Sequence, residues 1–184
     1  AICGDATGHG VVSGIMVSVT KAGLHGIPMG EPSLILEQLN RIVKKVNFGR
    51  LRMSLSVAKF NDDNFEISSA AMPPTYYYKA ASKRVEEILE PNLPLGGIES
   101  EKYTGVTKKF EQNDIMVMIS DGLPELPNDQ NILLDYEEIE SCIGLNAHKT
   151  SEEIKNALVS LADQWCNGIM NPDDITIVVI KKVA

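Results

Sequence analysis

Residues 4–14, GDATGHGVVSG, follow a short apolar stub and lead into a run with helical periodicity. A strand, a glycine-rich turn and a helix in that order occur in nucleotide-binding βαβ units and in unrelated folds, so this stretch decides between them. The dinucleotide fingerprint is G-x-G-x-x-G and requires a parallel strand after the helix. Gly8, Gly10 and Gly14 are spaced G-x-G-x-x-x-G, one residue too long, and no Lys-Ser or Lys-Thr follows to make a P-loop.

Outward from this run, Val12, Ile15, Met16, Val19 and Ala22 recur at the spacing of one helix face, and Gly26 with Pro28 predicts the helix end. Pro32 suits the first turn of a second helix, whose stripe is Ile35, Leu39, Ile42, Val43 and Val46, lasting to about Asn47. Helix follows helix, so the βαβ unit is missing. Five short, partly alternating segments come next: LRMSLSVAKF, FEISSAA, TYYYKA, RVEEIL and YTGVTKKF. Their polar and Pro/Gly connections predict an antiparallel meander. The continuous apolar runs DIMVMIS and DITIVVIK predict central strands. Between them lie a short helix near Tyr136–Ile143 and a longer one from Thr150. Thr150 and Glu153 form a capping box ahead of Ile154, Leu158, Leu161 and Trp165. The fold class expected is α+β, with mainly antiparallel sheets flanked by helices.

At 184 residues and 43% hydrophobic, the chain is long enough for one well-buried core, and a single domain over 1–184 is expected. A formal net charge of −8 opposes binding of nucleic acid. The longest apolar runs fall far below the ~20 residues of a membrane-spanning helix, and no signal segment opens the chain, so a soluble, cytoplasmic protein is expected. Cys3, Cys142 and Cys166 contain no CxxC pair and read as reduced, buried side chains.

Three acidic motifs sit at expected strand ends. Asp5 follows the first strand, Asp121 follows the strand ending at Ser120, and Asp173 and Asp174, after Pro172, precede the last strand. If the last strand runs antiparallel to the other two, Asp5, Asp121 and Asp173 gather at one sheet edge. Such carboxylates repel one another unless cations lie between them, and an all-oxygen site selects hard ions of the Mg²⁺ or Mn²⁺ class. Glycine after Asp121 and the small Ala6 after Asp5 would leave room for a water or a backbone carbonyl at an ion. Gly8 and Gly10 would let the backbone pass close by. Two ions sharing a carboxylate can aim a water in line at phosphorus. Taken singly, Asp-Gly at 121–122 and Asp-Asp at 173–174 also read as ordinary turns.

GDATGHG, AAMPP, NLPLGG, SDGLPE and DDITIVVI occur in the order and at about the spacing of the bacterial stage II sporulation protein E-like phosphatases. These are a branch of the PPM-type (type 2C) metal-dependent serine/threonine phosphatases. The resemblance runs from Ala1 to Lys181. It implies two packed antiparallel sheets flanked by helices and a site for two Mn²⁺ or Mg²⁺ ions. In that site Asp5 resembles the carboxylate bridging both ions, and Ala6 stands where a backbone carbonyl binds one. Asp121 and Asp173 resemble the remaining ligands of the first ion, with Asp174 the runner-up. The resemblance further implies attack of metal-activated water, without a phosphoenzyme, on a phosphoserine or phosphothreonine of an anti-sigma-factor antagonist. It leaves room for an upstream sensor domain and a homodimer.

The chain departs from the pattern in two places. Nothing matches the acidic Gly-Gly-Asp-like segment with which such domains begin, so an N-terminally truncated domain with an incomplete second metal site is expected. Met72 stands in AAMPP where histidine is frequent, and no catalytic role is assigned to it. His9 is expected to make a hydrogen bond within its loop, and His25 and His148 to lie on the surface. The alternative to a phosphatase is a catalytically silent regulatory or binding module on the same fold.

Overall fold

The computed structural model describes residues 1–169, 171 and 173–183. Met170, Ala184 and Pro172, the proline expected to lead into the Asp173 loop, lie outside the described residues. The chain divides into two compact units, residues 1–72 with 89–109, and residues 73–88 with 110–184. Each carries one four-stranded antiparallel sheet and two helices. The α+β class with antiparallel sheets is therefore observed. Among the described residues no helix is long and apolar enough to cross a membrane.

The first unit contains β1 (Ile2–Ala6), α1 (Val11–Gly26), α2 (Pro32–Val46), β2 (Met53–Phe60), β3 (Asn64–Ala70) and β6 (Val106–Lys109). Its strand order is β1-β2-β3-β6. Met53, Leu55 and Val57 alternate along β2 and pack with Ile35, Leu36, Leu39 and Val43 of α2. Pro32 at the start of α2 and left-handed Asn47 at its end match the sequence reading. The face expected for α1 is not the buried one. Ser13, Met16 and Thr20 are buried, while Val12 is 50% and Ile15 is 49% exposed. Apolar residues surround this helix, so their periodicity did not single out a side. Gly23 lies where a Cβ would come within 3.0 Å of Leu39 Cδ2, bringing α1 close to α2.

The second unit contains β4 (Thr75–Lys79), β5 (Arg84–Ile88), β7 (Ile115–Ile119), α3 (Asp135–Asn146), α4 (Ser151–Cys166) and β8 (Ile177–Lys181), in strand order β5-β4-β7-β8. Ile115, Val117 and Ile119 pack in one core with Ile139 and Ile143 of α3 and Ile154 and Leu158 of α4. β7 is central and buried on both faces, as its continuous apolar sequence requires. β8 has an equally apolar sequence but is an edge strand of half-buried residues, correcting the expectation of a second central strand. The capping box is present: Glu153 N–H donates to Thr150 Oγ1 at 3.3 Å, and Thr150 N–H to Glu153 Oε2 at 2.9 Å.

The expected meander is not formed. β2–β3 and β4–β5 are hairpins in different sheets, β6 joins β3, and β7 joins β4. The chain leaves the first sheet at Ala71, which adopts φ +55°, and at Met72-Pro73-Pro74, where prolines offer no N–H to extend a ladder. Met72 itself is buried. The three cysteines are free, with Cys3 buried and Cys142 and Cys166 half-buried.

Candidate metal centre

Asp5 lies inside β1, paired with Ser54, and Ala6 is the buried last residue of that strand, paired with Met53. The expectation that Asp5 follows its strand is corrected, and so is that of one common sheet edge. β1 belongs to the sheet of the first unit, whereas Asp121 and Asp173 flank β7 and β8 of the other sheet.

After Ala6 the chain turns into α1 within four residues. Thr7 N–H donates to the Arg52 carbonyl at 2.9 Å, and Ser13 Oγ donates to the Thr7 carbonyl at 3.1 Å. Gly8 and Gly10 adopt φ +82° and +86°, a region where side-chain-bearing residues are strained. A Cβ would meet nothing within 4 Å at Gly10 and only ordinary contacts at Gly8. The positive φ of these two glycines serves the turn. Gly4 is the crowded position, since a Cβ there would run into the Leu55 side chain. His9 is exposed and makes no hydrogen bond among the described residues, contrary to expectation, while His25 and His148 are exposed as expected.

In the second unit, antiparallel pairing of Ile119 with Ile177 brings the exit of β7 and the entrance of β8 together. A carboxylate oxygen of Asp121 and one of Asp173 lie within 4.8 Å of each other. Asp121 Oδ1 is buried and has no hydrogen-bond partner among the described residues. Asp121 as a whole is half-buried, and a cation beside this oxygen would give it the partner it lacks. Asp173 is exposed, and its Oδ1 accepts from Asp174 N–H at 2.8 Å. Asp174 instead turns its backbone carbonyl toward β7, where Ser120 Oγ donates to it at 3.2 Å. A Cβ on Gly122 would collide with that same carbonyl. The room beside Asp121 that the glycine provides is thus filled by the backbone of Asp174.

The donor set of the second unit is all oxygen, includes one orphaned buried carboxylate oxygen, and suits a hard divalent cation. Sequence reasoning passed over Ser120, although it stands in SDGLPE beside Asp121. The NLPLGG motif has a structural explanation. Asn40 Oδ1 accepts from Gly96 N–H at 2.8 Å, Asn40 Nδ2 donates to the Ile98 carbonyl at 2.8 Å, and Lys44 Nζ donates to the Gly97 carbonyl at 2.7 Å. This loop is thereby fastened to α2, with left-handed Gly96 making the bend.

A family model of stage II sporulation protein E (SpoIIE) matches residues 1–183. The chain belongs to the SpoIIE family. It is 25% identical over 185 residues to the phosphoserine phosphatase RsbU of Bacillus subtilis (strain 168), covering 97% of this chain and 54% of that protein. The chain therefore spans about half the length of that relative. Among solved structures, the SiaA-PP2C domain of Pseudomonas aeruginosa superposes with a TM-score of 0.87 at 15% identity, over 98% of this chain and 74% of that one. The PP2C phosphatase domain of SpoIIE from Bacillus subtilis, with a fragment of its regulatory domain, gives 0.72 at 18% identity, over 98% and 54%. The catalytic domain of the serine/threonine protein phosphatase PstP, in complex with two manganese ions, gives 0.72 at 16% identity, over 100% and 87%. The fold is that of PP2C phosphatase domains.

Proposed function

We propose that residues 1–184 act as one phosphatase domain that hydrolyses a phosphoserine or phosphothreonine on a regulatory protein in the presence of Mn²⁺ or Mg²⁺. The observation that carries this reading is the buried, unpartnered Oδ1 of Asp121 with an Asp173 carboxylate oxygen within 4.8 Å. Membership of the SpoIIE family over residues 1–183 supports it.

In this reading Asp121 and Asp173 would hold a divalent ion. Asp5 and the backbone carbonyl of Ala6 would be further oxygen ligands for Mn²⁺ or Mg²⁺. Asp174 holds its segment in place through its backbone. Bound Mn²⁺ or Mg²⁺ would supply charge neutralisation at the phosphoryl group and an acidified water. In the overall reaction water adds its oxygen to phosphorus, the phosphorus–oxygen bond to the side chain breaks, and that side-chain oxygen takes up a proton. The substrate class proposed is a phosphorylated anti-sigma-factor antagonist, in keeping with the likeness to RsbU.

The test is phosphate release from a phosphoserine-bearing anti-sigma-factor antagonist by the full-length protein. Release that needs Mn²⁺ or Mg²⁺ and stops in excess chelator is the expected result. Tight partner binding with no turnover at any divalent concentration would replace the phosphatase with a silent binding module.

A further inference from the structure

Ser120 is 1% exposed and forms three hydrogen bonds to the segment that enters β8. Its N–H donates to the Thr176 carbonyl at 3.0 Å, its Oγ donates to the Asp174 carbonyl at 3.2 Å, and the same Oγ accepts from Thr176 N–H at 2.9 Å. A hydroxyl is suited to this place because it gives and receives at one atom. Asp121 follows Ser120 directly, and Asp173 directly precedes the Asp174 that Ser120 holds. The separation of the two carboxylates is therefore set through Ser120. Gly122 lets the same carbonyl approach from the other side of Asp121.

We propose that Ser120 is a positioning residue for metal binding, acting by clamping residues 174–176 onto the end of β7 so that Asp173 stays within reach of Asp121. The proposal rests on the reading of Asp121 and Asp173 as metal ligands. Removing the hydroxyl leaves the backbone bond to Thr176 intact, but orphans the Thr176 N–H and the Asp174 carbonyl and frees the loop. Partners that orient metal ligands typically change metal affinity by ten- to a hundred-fold.

Calorimetric titration of the full-length protein with Mn²⁺ tests this, using Ser120→Ala, Ser120→Thr and Asp121→Asn beside the unaltered protein, with metal-free melting temperatures recorded for each. Ser120→Ala should raise the Kd for Mn²⁺ about ten-fold, and Ser120→Thr, which keeps the hydroxyl, should recover most of the affinity. Unchanged Mn²⁺ affinity in Ser120→Ala while Asp121→Asn loses it would overturn the proposal and leave Ser120 a purely structural residue, however far the melting temperature falls. Unchanged affinity in Asp121→Asn would overturn the ligand assignment itself, and the role of Ser120 with it. If Ser120→Ala does not fold, Ser120→Cys, with its weaker donor, takes its place, and weaker or unchanged Mn²⁺ binding decides in the same way.

Discussion

Asp114 and Asp121 stand at opposite ends of β7, and their carboxylates meet opposite conditions. Asp114 is fully buried and accepts from the Tyr77 hydroxyl at 2.6 Å and from the N–H groups of Ala80 and Glu111, each at 2.8 Å. Asp121 keeps a buried oxygen with no donor among the described residues. The first carboxylate is complete within the protein, and the second leaves one oxygen unsatisfied among the described residues. Asp114→Asn should therefore destabilise the metal-free fold by about 3 kcal/mol, the scale of hydrogen bonds to a charged group. Asp121→Asn should leave the metal-free fold as stable as before or slightly more stable, because it removes an uncompensated charge. Urea denaturation in chelator measures both, and an equal loss in the two variants would contradict this contrast.

The glycines of the opening motif should differ in sign. Gly10 caps the start of α1 at φ +86° and ψ −159°, a conformation nearly confined to glycine, so Gly10→Ala should cost about 2 kcal/mol. Gly14 lies in the helix interior with nothing within 4 Å of a built Cβ, so Gly14→Ala should stabilise by about 1 kcal/mol. Thermal unfolding of the two variants gives the comparison. Two shifts of the same sign would show that the turn geometry does not govern this segment.

Gly122→Ala places a methyl group against the Asp174 carbonyl. The loop must then shift, and with it Asp173. The expected result is a fall of about ten-fold or more in Mn²⁺ affinity, the scale of lost ligand orientation. Titration calorimetry reads this directly, and affinity equal to that of the unaltered protein would show that the carbonyl's approach does not matter to the site.

Glu90 gives the first unit a dependence on pH. Its Oε2 accepts from Ser69 N–H at 2.8 Å, its Oε1 is buried without a partner among the described residues, and burial pushes the carboxyl from the ordinary 4.5 up to about 7. The folded protein therefore holds a proton that the unfolded chain has released between about pH 4.5 and 7. Glu90's contribution is fully present below that window and lost as pH rises through it, a change of about 3 kcal/mol. Glu90→Gln cannot ionise, so its stability relative to the unaltered protein should rise by about that amount from pH 4.5 to pH 8. Denaturation in chelator at the two pH values tests this, and parallel profiles would contradict it.

Much of this fold is written in local rules. Pro32 and the stripe from Ile35 to Val43 specify α2, the Thr150–Glu153 box starts α4, and the apolar run 115–119 specifies a strand buried on both faces. What escaped the sequence depends on contacts between distant segments. Val12 and Ile15 share a helical spacing with Met16 yet lie outside, because the side that α1 buries is set by its neighbours. DITIVVI is as apolar as a central strand and lies at a sheet edge, since strand order is not encoded in composition. At the site, Asp121 and Asp173 were legible because antiparallel neighbours bring an exit and an entrance together. The parts of Ser120 and Gly122 were not, since both depend on where the Asp174 carbonyl comes to rest.

In the proposed function, the orphaned oxygen of Asp121 belongs to a divalent metal centre that hydrolyses phosphoserine or phosphothreonine. The most direct test is Mn²⁺-dependent phosphate release from a phosphoserine protein by the full-length protein, with and without Asp121→Asn. Turnover in Mn²⁺ should fall at least about a hundred-fold in the variant, the loss expected when one group stabilising transition-state charge is removed. Turnover in Asp121→Asn equal to that of the unaltered protein would contradict this reading.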